Sequence, residues 1–255
     1  MPRLSAIVIA KNEAANIAEC LDSLAFCDEI VVVDGGSIDD TVVLAKAKGA
    51  QVVSAPDWQG FGSQKNLALS QSHGDWVLSV DADERVPPAL AREIENAITD
   101  SEAHGYRMPR LSSFCGREIR HSGWYPDYVL RLFRRNKARF SDDLVHERVI
   151  CEGQVRHLRE PLRHHTITSL EDALSKIDRY STAGADMLIA SGRRVYFISG
   201  IGHGFWTFVR TYFFRAGFLD GAEGFLVARY HAQTTFYRYM KAWLKQRRGK
   251  RSDLL

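Results

Sequence analysis

Two carboxylates one residue apart, Asp81 and Asp83, follow the apolar run Trp76-Val77-Leu78-Ser79-Val80. Side chains of an extended chain alternate with period 2, so both acids are expected on one side. Facing carboxylates are hard oxygen donors suited to Mg²⁺ or Mn²⁺, which usually keep waters and bind substrate phosphates as well. Two more apolar runs end in polar clusters: Leu4 to Ala10 in Lys11-Asn12-Glu13, and Glu29 to Val33 in Asp34-Gly35-Gly36-Ser37. Each alone has an ordinary explanation, since Asp-x-Asp after a strand is commonly a turn or cap and Asp-Gly-Gly a turn. Three such ends together point to a site, because open α/β sheets bind ligands at the carboxyl ends of their strands. Neither a GxGxxG nor a GxxxxGK[ST] pattern is present, which removes the main support for dinucleotide-binding dehydrogenases and P-loop NTPases.

The elements that must position these residues alternate between strand-like and helix-like patterns, the mark of a mostly parallel sheet flanked by helices. Strands are expected at Leu4–Ala10, Glu29–Asp34, Gln51–Ala55 and Trp76–Val80. Between them, Ile17, Cys20, Leu21 and Leu24 have helical spacing, Ser37 and Asp40 read as a capping box for a helix through Leu44 and Ala47, and Lys65 to Gln71 is helical. Pro87 and Pro88 open a further helix with Leu90, Ile94, Ala97 and Ile98 on one face. From Gly105 to Gly153 the pattern turns β-like, with strands expected at Tyr128–Phe133 and Leu144–Ile150. Thr168 and Glu171 then read as a capping box for a helix carrying Leu170, Leu174, Ile177, Gly184 and Leu188.

The composition, 45% hydrophobic and 25% charged over 255 residues, suits a globular α/β protein and excludes disorder, collagen and coiled coil. The four cysteines form no CxxC pair and read as reduced thiols of the cytosol, and the apolar run after Met1 is too short for a secretory signal. The net charge of +3 hides an asymmetry: residues 201–255 carry ten Lys or Arg against three acids, with 13 of the 27 aromatics. Val195 to Val209, the longest stretch without Lys, Arg, Asp or Glu, is shorter than the roughly 20 apolar residues of a spanning helix.

Ala6 to Glu13, Val31 to Thr41 and Val80-Asp81-Ala82-Asp83-Glu84, taken as a set, resemble the nucleotide-sugar motifs of the family 2 glycosyltransferases. Gly123-Trp124-Tyr125-Pro126-Asp127, Arg131 to Arg135, Val145-His146-Glu147 and Gly217-Phe218-Leu219-Asp220-Gly221 resemble the bacterial subgroup that includes lipopolysaccharide core β-1,4-glucosyltransferases. The resemblance implies a GT-A fold: a Rossmann-like, mostly parallel α/β sheet. It also implies a UDP-sugar donor, a Mg²⁺ or Mn²⁺ cofactor and inversion at the anomeric carbon. By carry-over, Asp34 would recognise the uracil or ribose, with Ala10, Asn12, Glu13 and Gly35 beside it. Lys65 would lie near the nucleotide or its diphosphate, Asp81 and Ala82 near ribose or metal, and Asp83 would be the main metal ligand. Residues 1–165 are expected to form the catalytic domain, with a donor half 1–100 and an acceptor half 101–165. Residues 166–255 are expected to form a helical extension.

Inverting transfer needs a base for the acceptor hydroxyl. Glu147 and Asp127 are the candidates, with Glu147 favoured; the sequence does not separate them. His146 is an alternative site residue, and Arg131 or Arg134 can pair with diphosphate or with an anionic acceptor, though a solvated strand charge explains each at least as well. In the tail, Arg238, Lys241, Lys245 and Arg248 form one helical stripe and Phe236, Met240, Trp243 and Leu244 another, an interfacial pattern. The expectation is peripheral attachment to the cytoplasmic face of a bacterial inner membrane, near a lipid-linked oligosaccharide acceptor, with no nucleic-acid partner. Packing of the aromatics within the protein, or at a homo-oligomer interface, is the alternative. At the level of function, the alternatives are a sugar-nucleotide or glycolipid binding module without turnover, and a nucleotidyltransferase.

Overall fold

A computed structural model describes residues 2–141 and 148–252, so the candidate base Glu147 and its neighbour His146 lie outside the described residues. The chain divides into two compact units, Met1–Leu111 with Asp127–His164, and Ser112–Pro126 with His165–Leu255.

The first unit opens as β1 (Leu4–Ala10), α1 (Ile17–Asp22), β2 (Glu29–Asp34), α2 (Thr41–Ala47), β3 (Gln51–Ser54), α3 (Phe61–Gln71) and β4 (Trp76–Asp81). It continues with β5 (Glu84–Arg85), α4 (Pro88–Ala97), β6 (Gly105–Phe114), β7 (Arg117–Glu118, in the second unit), β8 (Asp127–Arg134), β9 (Ala138–Phe140), β10 (Val149–Cys151), β11 (Val155–His157) and β12 (Leu162–Ile167). The main sheet runs β3-β2-β1-β4-β8-β6-β12-β5. Its first four strands are parallel, and β8 and β6 continue it antiparallel. Strands β1, β2 and β4 are Val/Ile/Leu-rich because both faces of a parallel sheet are covered. Period-2 alternation sends Ala6, Val8, Val32, Trp76 and Leu78 into one core layer, with Ile17, Leu21, Leu90 and Ile94 of α1 and α4. Ile7, Val31, Val33 and Val77 go into the other layer, with Ala68 of α3 and Phe140.

Three local expectations are corrected. Asp40 caps α2 without a side-chain bond; Asp39 instead accepts from the Thr41 amide at 3.1 Å, and Ser37 Oγ accepts from the Asn12 amide. The strand ending at Asp81 does not run on extended, since Ala82 and Asp83 form a turn before β5. The helix cap expected at Thr168 is Ser169, whose hydroxyl accepts from the Asp172 amide at 3.2 Å.

The second unit contains α5 (Leu170–Ala190), α6 (Phe197–Val209), a π turn at Arg210–Phe214, a 3₁₀ turn at Gly217–Asp220 and α7 (Gly221–Ser252). Helix α5 buries Ala173, Ile177, Ser181 and Ala185, while Leu170 and Leu174 of the expected stripe are exposed. Residues of two subgroup motifs, Trp124 and Asp220, are anchored here. The buried Asp220 carboxylate accepts from the backbone amides of Arg120 and His121 and sits 3.0 Å from His121 Nδ1. Trp124 Nε1 donates to His231 Nε2 at 2.6 Å. Gly224 has to be glycine, because a Cβ there would come 1.9 Å from the Gly217 carbonyl oxygen.

Most described members of the two α7 stripes face neighbouring helices. Lys241 pairs with Asp178 and Lys245 with Asp186 of α5, and Arg238 lies over Gly184. Met240 and Phe236 pack on Gly200 and Gly204 of α6, and Trp243 meets Phe197 with ring centroids 5.4 Å apart. This corrects the reading of α7 as a helix with a free basic stripe: Lys241 and Lys245 hold helices together, and the most exposed aromatics, Phe205 and Phe214, lie on α6 and the π turn after it. Among the described residues no helix is long and apolar enough to cross a membrane.

Candidate active site

The carboxyl ends of β1, β2 and β4 carry the three polar clusters, and backbone-directed bonds stitch the first two together. Asn12 takes a positive φ of 56°, a conformation Asn tolerates better than most residues, and its side chain accepts from the Ile38 amide at 2.9 Å. Glu13 accepts from Asn16, and burial chiefly pushes its carboxyl above the usual range, with the Asp83 and Asp39 charges adding to the rise. Asp34 is buried and accepts from the Gly36 and Ser37 amides at 3.1 Å. Gly35 donates to the Ala10 carbonyl at 2.8 Å. Here the ordinary turn explanation is visible: Asp34 builds the loop.

The third cluster opens a row of alternating charges. Lys65, almost fully buried in the second turn of α3, places Nζ 2.9 Å from Asp81 Oδ1. The other oxygen of Asp81 is bound by Arg131 Nη2, which also lies 2.9 Å from Glu84 Oε1. Glu84 has no exposed surface; it accepts from the Asp81 amide at 2.9 Å and lies 3.6 Å from Arg110. Arg110 then grips Asp127 through Nε at 3.0 Å and Nη2 at 2.6 Å. Burial opposes the charge on Asp81, but the charges of Arg131 and then Lys65 outweigh it and hold the carboxyl well below the usual range. Arg131 is held charged in the same way, its burial outweighed by Asp81 and Glu84.

Asp83 stands outside this row, 35% exposed, with Oδ2 3.1 Å from His164 Nε2 of β12. Ala82 is buried, and its carbonyl accepts from Arg85. Arg134, weighed as a diphosphate contact, instead lies 4.8 Å over the Trp76 ring and donates to the carbonyls of Ala103, Asp100 and Ser101. The buried Gln64 Oε1 and Arg131 Nε have no hydrogen-bond partner among the described residues. Both are polar atoms that a ligand can satisfy.

The Glycosyl transferase family 2 profile matches residues 5–156. The chain belongs to that family. The lipopolysaccharide core biosynthesis glycosyltransferase LpsC of Rhizobium meliloti is 34% identical over 88% of this glycosyltransferase and 86% of its own length. A glycosyltransferase of Rickettsia prowazekii is 31% identical over 94% of this chain and 87% of its own. Among solved structures, Staphylococcus aureus TarS 1–349 in complex with UDP superposes with a TM-score of 0.50 at 17% identity, covering 97% of this chain and 92% of that one. The fold of this glycosyltransferase is GT-A.

Sequence reasoning missed His164, Arg110 and the pivotal place of Glu84. Arg110 and Asp127 are register partners on β6 and β8, and His164 is the partner of Glu84 across β12 and β5. Opposite charges at those positions are visible in the sequence; the antiparallel register that joins them is not.

Proposed function

We propose that this glycosyltransferase is a metal-dependent, inverting enzyme that moves a hexose, glucose from UDP-glucose, onto a lipid-linked saccharide such as the lipopolysaccharide inner core. The observation that carries the acceptor class is the near full-length likeness to the lipopolysaccharide-core relative. The donor reading rests on Asn12 and Glu13 after β1, Asp34 at the end of β2 and Lys65 of α3, the residues that the family resemblance implies.

Among the described residues no three His, Cys, Asp or Glu side chains form a metal cluster. Asp83 and His164 nevertheless fit as the protein's share of a divalent site, an oxygen and an imidazole nitrogen whose remaining positions waters and substrate phosphates complete. When bound, the cation supplies Lewis-acid stabilisation to the departing diphosphate. Asp81 is the weaker ligand, because Lys65 and Arg131 already occupy both of its oxygens. Its task is to hold those two cations at the floor of the site, where they face the diphosphate's charge. Arg110 engages the Asp127 carboxylate through both Nε and Nη2, so that side chain is already committed to a partner, which favours Glu147 as the base.

Working on a lipid-anchored acceptor, the enzyme would attach peripherally to the cytoplasmic face of the inner membrane. The exposed Phe205, Trp206, Phe213 and Phe214 support this, as side chains of the kind that bury into the headgroup boundary. The test is transfer from UDP-glucose to purified lipopolysaccharide core acceptor with Mn²⁺, reading released UDP and labelled product together. Release of UDP and product in equal amounts is expected. Absence of both with every UDP-hexose tried would overturn the donor reading, and product on a free sugar but never on the lipid-linked acceptor would overturn the acceptor reading.

A further inference from the structure

Helices α6 and α7 leave a groove of about 620 Å³ between them, inside the roughly 300–1,000 Å³ range of ligand pockets. Its walls come from Ile201, Phe205 and Phe208 of α6 and Phe225 and Phe236 of α7, each set at helical spacing on one face. One cation, Arg229, joins that wall. Arg229 is exposed and has no ion-pair partner among the described residues. Helix α6 supplies no acid, and the two acids at the start of the following segment are engaged elsewhere, Asp220 with His121 and Glu223 with Arg117.

An apolar trough with a single uncompensated cation complements one kind of molecule. A small water-soluble anion would satisfy Arg229 and leave the aromatic walls wet; a neutral hydrocarbon would bury the walls and leave the guanidinium without a counter-charge. An anionic amphiphile satisfies both, its methylenes covering the aromatic walls and its anionic group facing the guanidinium. The α7 lysines that would otherwise recruit anionic headgroups, Lys241 and Lys245, are tied to α5, while Arg229 is the cation that lines the groove itself.

We propose that the α6–α7 groove takes one acyl chain of an anionic phospholipid of the membrane, with the phosphate on Arg229. The proposal rests on the reading of this chain as a membrane-surface enzyme and gives that surface a defined lipid site. Native mass spectrometry of the purified full chain with monomeric lysophosphatidylglycerol tests it, with lysophosphatidylcholine as the neutral comparison. One adduct per chain is expected with the anionic lipid, weakened roughly tenfold or more by Arg229→Glu, the scale of one charge-assisted bond. Ile201→Trp, at a position 44% exposed so that the larger ring is tolerated, should weaken the adduct by filling the groove. Circular dichroism checks that both variants are folded.

No adduct, equal binding of the neutral lipid, or an adduct indifferent to both substitutions would overturn the site. So would a dimer that Ile201→Trp dissociates in the absence of lipid, because a second copy would then be the occupant. Sedimentation with phosphatidylglycerol vesicles reads the membrane-surface reading separately. Vesicle binding that survives both substitutions without any adduct refutes the groove alone, and an adduct without vesicle binding refutes the surface reading alone.

Discussion

Replacing Glu84 with Gln removes one negative charge from the centre of the site while keeping its shape and an oxygen for the Asp81 amide. The wild-type row holds three cations, Lys65, Arg131 and Arg110, against three anions, Asp81, Glu84 and Asp127. Glu84→Gln leaves three against two, Arg131→Met leaves two against three, and the double variant restores balance with the Lys65–Asp81 and Arg110–Asp127 pairs intact. Removing one partner of a buried pair costs about 3–5 kcal/mol because the other charge is stranded. Arg131 keeps Asp81 in the first variant, which puts the cost near the lower end, about 3 kcal/mol. The double variant should then cost little more than either single one, a coupling of about 2–3 kcal/mol. Urea unfolding followed by tryptophan fluorescence gives all three values, provided the slopes match the wild type. If the single costs add to the double within about 0.5 kcal/mol, the row does not act as a unit and the argument fails.

Asp83→Ala is expected to abolish transfer while the protein stays folded, and excess chelator to do the same to the wild type; full turnover in chelator would refute the metal assignment. Glu147→Gln should slow transfer by roughly 10²-fold or more with donor binding unchanged, and Asp127→Asn should cost much less; the reverse order would exchange their roles. Burial, aided by the charges of Arg215 and then Arg210, pulls His231 down to about 4. Unfolded His takes its proton near 6.5, so the unfolded state binds more protons between those values; this contribution is complete above about pH 6.5 and is lost as the pH falls to about 4. The loss is on the order of 3 kcal/mol, and His231→Gln should flatten it. Urea midpoints at pH 7 and pH 5 that shift equally in both proteins would refute the assignment.

The parallel half of the fold was legible because its strands are buried on both faces and read as short Val/Ile runs; the bounds of β1 and β2 match the expectation residue for residue. The residues at their ends were legible for the same reason, since the end of a buried run must be where polar groups begin. What failed was geometry one residue further on. Period 2 placed Asp81 and Asp83 together only if the chain stayed extended, and it turns at Ala82. Asp81 therefore joins Lys65 and Arg131, while Asp83 joins His164. The partners Arg131, Arg110 and His164 arrive on β8, β6 and β12, whose order in the sheet no single-sequence pattern encodes.

The tail shows the same limit in electrostatic terms. Its excess of Lys and Arg suggested a membrane-facing stripe, and helical spacing placed those residues correctly on one side of α7. Spacing alone does not say what that side meets, and Asp178 and Asp186 of α5 meet it. Exposed pairs of this kind contribute about 0–1 kcal/mol each, so they orient α7 more than they stabilise it. Their consequence for membrane binding is larger. A lysine held by an aspartate presents little net charge to a headgroup, and each such loss forgoes about 1 kcal/mol of surface attraction. Attachment should therefore depend less on salt than the net charge of the tail implies. In the proposed attachment the larger share would fall to the exposed Phe205, Trp206, Phe213 and Phe214, since fully burying a side chain of phenylalanine size contributes about 1.5–3 kcal/mol that salt does not screen.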